Sequence, residues 1–172
     1  MLHCKVGVTW NNNKLSFDGI DDKVRFRGDI TNNYSMVITI KPELVGVHPR
    51  LFAENPFPTI YLHSNQQYRL GFFGQGQDKI FEPSLIPSQT EPTYVVVTYN
   101  GTRITLYVNG EITGEMLTKT NPTARETTYL GANATNTRQY TGDIYDFMIY
   151  DRVLDDFEIE RSYITNNSKY IN

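Results

Sequence analysis

The chain of 172 residues contains one cysteine, Cys4, so no disulfide can close within it and its cysteine content does not report a redox compartment. No run approaches the roughly 18 consecutive apolar residues that a membrane-spanning helix needs, which argues against membrane insertion. Basic residues are not in excess. Lys and Arg number 16 against 19 Asp and Glu, the net charge is −3, and the basic residues are scattered, which argues against a nucleic-acid partner. The opening MLHCKVGVTWNNN has neither a basic segment nor an apolar stretch of the kind a signal peptide carries. The expectation is therefore a piece of a longer secreted protein, or a protein that reaches its workplace without secretion, as a virion component does. No internal repeat is visible.

What the chain has is strand-forming sequence. Aromatic residues make up 13% of it, with 12 tyrosines. In TYVVVTYNGTRITLYVNGE, Asn100-Gly101 and Asn109-Gly110 separate runs rich in β-branched and aromatic residues. Asn-Gly suits a type I′ hairpin because both central residues tolerate positive φ. Ile104, Leu106 and Val108 alternate with Arg103, Thr105 and Tyr107, the pattern of a half-buried strand in an antiparallel meander.

Further strands are expected along the chain. One runs from His3 to Trp10 and meets a turn at Asn11-Asn12-Asn13; Lys14 to Phe17 and Lys23 to Arg27 then flank the tight segment Asp18 to Asp22. In the second of these, Lys23, Arg25 and Arg27 should face outward. Tyr34 to Lys41 places Met36, Ile38 and Ile40 inward and stops at Pro42, which cannot donate to a ladder. A hairpin is expected over Thr59 to Phe73, with Ile60, Leu62 and Leu70 inward and Tyr61, His63, Tyr68 and Arg69 presented outward. The segment FFGQGQDK reads as a loop, and its Gly74-Gln75-Gly76 lacks the context of a dinucleotide fingerprint. Pro83, Pro87 and Pro92 mark an extended connection, Thr118 to Thr127 a long loop, and short strands follow at Thr128 to Leu130 and Gly142 to Tyr150. One helix is expected at the end, opened by a capping box of Asp155 and Glu158 and docked by Phe157, Ile159 and Tyr163. The reading is one domain over 1–165, with 166–172 as a flexible tail or linker.

Taken in order, LSFDGIDDKVRF, YSMVITIKP, YVVVTYNGTRITLYVNGE, TTYLGAN and YTGDIYDFMIYDRVLDDFEIE resemble successive blocks of the concanavalin A-like LamG family, spanning Leu15 to Tyr163. The resemblance implies an all-β fold, a two-sheet antiparallel jelly-roll sandwich of roughly a dozen strands with one short C-terminal helix. It departs from the family in a short opening strand, and in Tyr145 where many members carry an acidic residue, with Asp146 one place later.

The same resemblance frames the chemistry. Glucanases of this fold place two carboxylates on one strand face, about 5 to 5.5 Å apart in retaining enzymes. No Glu-x-Asp-x-Glu pattern occurs, and Asp143 and Asp146, three residues apart, should fall on opposite faces. The expectation is that the protein is not an enzyme. The family's Ca²⁺ sites point to Asp18, Asp21, Asp22 and Asp146 as metal ligands, against the plain alternative that Asp18-Gly19 only builds a turn. Carbohydrate binding would use Tyr61, His63, Tyr68 and Arg69, with Trp10, Tyr99 and Tyr107 as neighbours, although Tyr-rich strands are also simply good strands. The reading is a lectin-like extracellular module that recognises a surface glycan or a protein. Its expected setting is a phage virion appendage, a role compatible with an oligomer, or a bacterial surface or secreted protein. The alternatives are a structural module that cements a virion without a ligand and, less favoured, a glycoside hydrolase.

Overall fold

The computed structural model describes residues 3–5, 8–26, 33–54, 59–64, 69–74, 77–80, 86–117 and 128–170. Its strands are β1 His3–Lys5, β2 Thr9–Asn11, β3 Lys14–Asp18, β4 Lys23–Phe26, β5 Tyr34–Pro42, β6 Arg50–Glu54, β7 Thr59–His63, β8 Arg69–Gly74, β9 Gln77–Ile80, β10 Thr93–Tyr99, β11 Arg103–Val108, β12 Glu111–Leu117, β13 Thr128–Leu130 and β14 Thr141–Tyr150, followed by helix α1, Asp156–Tyr170. They form two seven-stranded sheets, ordered β1-β4-β13-β6-β7-β8-β9 and β12-β11-β10-β5-β14-β3-β2. The fold is the expected all-β antiparallel sandwich with a C-terminal helix. The expected first strand is two: β1 joins the first sheet beside β4, and β2 joins the second beside β3. The segment read as a Gly-rich loop contributes β9, paired to β8 from Gly71–Ile80 to Gly74–Gln77. The long loop at 118–127 lies outside the described residues.

Burial follows from what covers each face. Between the sheets lie Phe17, Met36, Ile38, Ile40, Phe52, Ile60, Leu62, Leu70, Val95, Val97, Ile104 and Leu106. The other face of the second sheet is covered by α1, so Val37, Tyr94, Val96 and Tyr107 pack with Leu154 and Ile159. Strands β5 and β10 are therefore buried on both sides, which explains why their apolar residues run nearly unbroken. Each large apolar side chain buried this way contributes about 1.5–3 kcal/mol.

Two of the Asn turns have positive φ at both central residues, Asn12 with Asn13 and Asn109 with Gly110, as type I′ hairpins require. Asn100-Gly101 does not: only Gly101 is left-handed, and Asn100 Oδ1 instead accepts from the amides of Thr102 and Arg103 at 3.1 and 2.8 Å. That connection is an Asx turn, which satisfies the same backbone groups by a side chain.

The helix begins as expected. Asp155 N–H donates to Glu158 Oε2 at 3.1 Å and Glu158 N–H to Asp155 Oδ1 at 2.8 Å. It then runs to Tyr170, through residues expected to be a tail, with Asn166 buried against the sheet and the Tyr170 hydroxyl donating to Asp146 at 2.7 Å. Phe157, expected to dock the helix, is 69% exposed, because the docking stripe is Ile159, Tyr163, Asn166 and Tyr170.

Candidate functional site

On β7, Ile60 and Leu62 point into the sandwich, so Tyr61 and His63 point to the outer face of the first sheet. Tyr61 faces away from the core as expected, yet it is only 2% exposed. Its ring lies flat across β8 at Gly71, where a Cβ would come 2.8 Å from Tyr61 Cζ. Above it the Arg50 guanidinium stands 4.5 Å from the ring centroid, and His48 meets it edge-on at 5.9 Å. Tyr61 is the floor of the cluster. His63 is half-buried, its ring 4.5 Å from that of His48 and 5.8 Å from Tyr61. Arg69 opens β8 directly opposite His63, and Tyr68 lies outside the described residues.

His48 and Arg50 complete this cluster and were not read from the sequence. They come from a different segment, and only the fold brings them beside β7. His48 holds φ +48°, an uncommon conformation for a residue other than glycine, and exchanges two contacts with Ser64: His48 N–H to Ser64 Oγ at 3.2 Å and Ser64 N–H to His48 Nδ1 at 3.3 Å. The local signal for the loop was Gly46 two residues earlier, at φ +84°. On the same sheet face, Lys23 points outward from the core as expected. It is nevertheless only 8% exposed, because its ammonium bonds Ala134 O at 3.3 Å and Asn136 Oδ1, and lies 5.0 Å from the Tyr129 ring.

The Asp-rich turn between β3 and β4 brings Asp18, Asp21 and Asp22 together, with a carboxylate oxygen of each within 4.8 Å of the others. Part of this is turn construction: Asp18 Oδ1 accepts from Ile20 N–H at 2.8 Å, and Asp22 Oδ2 from Asp18 N–H at 2.7 Å. Asp22 Oδ1, however, is buried with no hydrogen-bond partner among the described residues, and Asp22 as a whole is 2% exposed. Burial pushes its carboxyl up from the usual value, and the charges of Asp18 and Asp21 add to that shift. A buried carboxylate oxygen without a donor is costly, so the cluster fits a metal ion with a preference for hard oxygen ligands. Asp146 is not in the cluster. It binds the helix through Tyr170.

Asp143 and Asp146 share one face, contrary to the expectation from their spacing. The register of β14 against β5 jumps between Ile144 and Asp146, leaving Tyr145 as the extra residue of a β-bulge. Downstream of it Phe147 and Ile149 return to the core, while Asp146, Met148 and Tyr150 face the helix side. Both carboxylates are tied into the structure. Asp143 takes Lys14 Nζ at 2.6 Å and Ser16 Oγ at 2.7 Å, and Asp146 takes the Tyr170 hydroxyl, whose own ionisation burial and that carboxylate push upward.

Comparison with known proteins gives a family and a fold. The family model for the concanavalin A-like lectin/glucanases superfamily matches residues 9–160. No curated protein matches the sequence significantly. Among solved structures, the binding domain of botulinum neurotoxin serotype D is 16% identical with a TM-score of 0.75, over 96% of this chain and 46% of that one. The binding domain of botulinum neurotoxin DC in complex with SialylT is 17% identical with a TM-score of 0.72, again over 96% and 46%. A heptameric SAP-like pentraxin from Limulus polyphemus is 19% identical with a TM-score of 0.66, over 86% of this chain and 79% of that one. The chain thus spans about half the length of the toxin binding domains, and at these identities the likeness is one of fold.

Proposed function

This chain belongs to the concanavalin A-like lectin/glucanases superfamily, and from that premise we propose that it is a non-catalytic module that works outside the cell and binds a surface glycan or a protein partner. The observation that carries the reading is the cluster on the outer face of the first sheet. There His48, His63 and Arg50 gather over the Tyr61 ring, with Arg69 opposite His63 in the strand register. Imidazole and guanidinium groups on an aromatic floor offer planar hydrogen-bonding and apolar surface together, the combination a sugar ring calls for. Tyr68, next to Arg69 in sequence, is kept as a candidate for the site on its sequence position alone.

Absence of catalysis follows from how the carboxylates are used. A retaining glycosidase needs a free nucleophile and an acid. Asp143 and Asp146 are instead engaged by Lys14, Ser16 and Tyr170. The metal ion is assigned as Ca²⁺, held by Asp18, Asp21 and Asp22. Bound there it supplies positive charge to three carboxylates and a partner for Asp22 Oδ1, stiffening the turn. The setting is a phage virion appendage or a bacterial surface or secreted protein, and the toxin binding domains and the heptameric pentraxin support a role in recognition and in assemblies of several copies.

A glycan array probed with the chain and with His63→Ala and Arg69→Ala tests this. The expected result is a restricted set of glycans lost in both variants with melting temperatures unchanged. Glycan binding that both variants retain would move the site elsewhere, and no binding at all would favour the module that only cements an assembly.

A further inference from the structure

A second surface lies on the opposite side of the molecule, between α1 and β12. The cleft there has a volume of about 340 Å³. Tyr107 and Ile112, cross-strand neighbours, form its floor. Its helical wall is Asp156, Glu160 and Ile164, which succeed one another at i, i+4 and i+8 on one face of α1, and Glu111 stands on the opposite rim. Two apolar side chains are left open to solvent, Ile112 at 55% and Ile164 at 61% exposure.

Two features narrow what fits. The strand β12 is the edge of its sheet, pairing only with β11 among the described residues, so its outer backbone groups can accept another extended chain. The helical wall of the cleft presents two carboxylates, Asp156 and Glu160, with no Lys or Arg among its lining residues. Asp156 is held in place by the Tyr107 hydroxyl at 2.8 Å. Further along the same strands, Arg103 is already taken by both oxygens of Glu115, at 3.2 and 3.1 Å.

We propose that this cleft docks an extended basic segment of a partner protein, laid along β12 with a Lys or Arg between apolar side chains. The apolar neighbours cover Ile112 and Ile164, and the cation sits beside Asp156 and Glu160 on the helical wall. The surface is separate from the glycan face and does not depend on it.

The test is an amide NMR titration of the whole chain with a blocked peptide of alternating Val and Lys, and with its Val and Glu counterpart. The basic peptide is expected to shift the amides of Glu111 to Leu117 and of Ile164, with binding that weakens as salt is added. Glu160→Gln should reduce affinity by about two- to fivefold, the range for an exposed ion pair, while His63→Ala leaves it unchanged. Shifts elsewhere, equal binding of the acidic peptide, or no binding of the basic one would overturn the proposal.

Discussion

Gly110 lies against Tyr163: a Cβ on the glycine would stand 3.1 Å from Cδ1 of the ring. The turn between β11 and β12 is thus a seat for the helix as well as a hairpin. Gly110→Val places a β-branched residue at φ +86° and pushes on the ring at the same time. A loss of about 1 to 3 kcal/mol is expected, read as a lower melting temperature. An unchanged melt would mean that neither the turn conformation nor the helix seat matters to stability.

The start of α1 should be acid-sensitive. The bond from Arg152, then the amide of Asp155, hold the Glu158 carboxyl down from its usual 4.5 to about 2. A carboxyl lowered on folding contributes stability that is fully present above 4.5 and is lost as the pH falls toward 2. Denaturant melts across that window should show stability falling with pH in the wild type and a shallower fall in Glu158→Gln. Identical slopes for the two proteins would count against this linkage.

Calcium should raise the melting temperature of EDTA-treated protein. A ligand that binds only the folded state adds about 2.7 kcal/mol at a hundredfold excess over its Kd. Asp22→Asn should abolish both the thermal shift and the heat of a Ca²⁺ titration, whereas Asp146→Asn should leave them intact. No heat and no shift in the wild type would reduce the three aspartates to turn builders.

No sugar should be released from β-glucans, galactans or mucin-type glycans, since a mechanism without a free nucleophile and acid loses nearly all its rate. Release above a heat-killed control, abolished by Asp143→Asn or Asp146→Asn, would make this a glycosidase and end the binding-module reading.

The strands were legible because their signals are local. Alternation marked β11, Asn109-Gly110 marked its turn, and the Asp155–Glu158 box marked the start of α1. The length of the helix was less so, since the stripe it buries includes Asn166 and two tyrosines rather than aliphatics, and no apolar period announces it. The bulge at Tyr145 leaves no mark in the sequence, and it reversed the predicted faces of Asp143 and Asp146. The cluster over Tyr61 was half legible: period 2 gave the direction of Tyr61 and His63, but the burial of Tyr61 depends on His48 and Arg50, which only tertiary structure delivers.

The helix also gives the sandwich a front and a back. One broad face is occupied by α1, and among the described residues no helix covers the other. A single copy therefore presents the proposed glycan cluster in one direction, and under that reading it does not by itself bridge two decorated surfaces. Cross-linking through that cluster would require at least two copies with their helix sides turned inward, whereas a closed ring with the cluster faces turned along its axis would point every copy the same way, so that weak single contacts add as avidity.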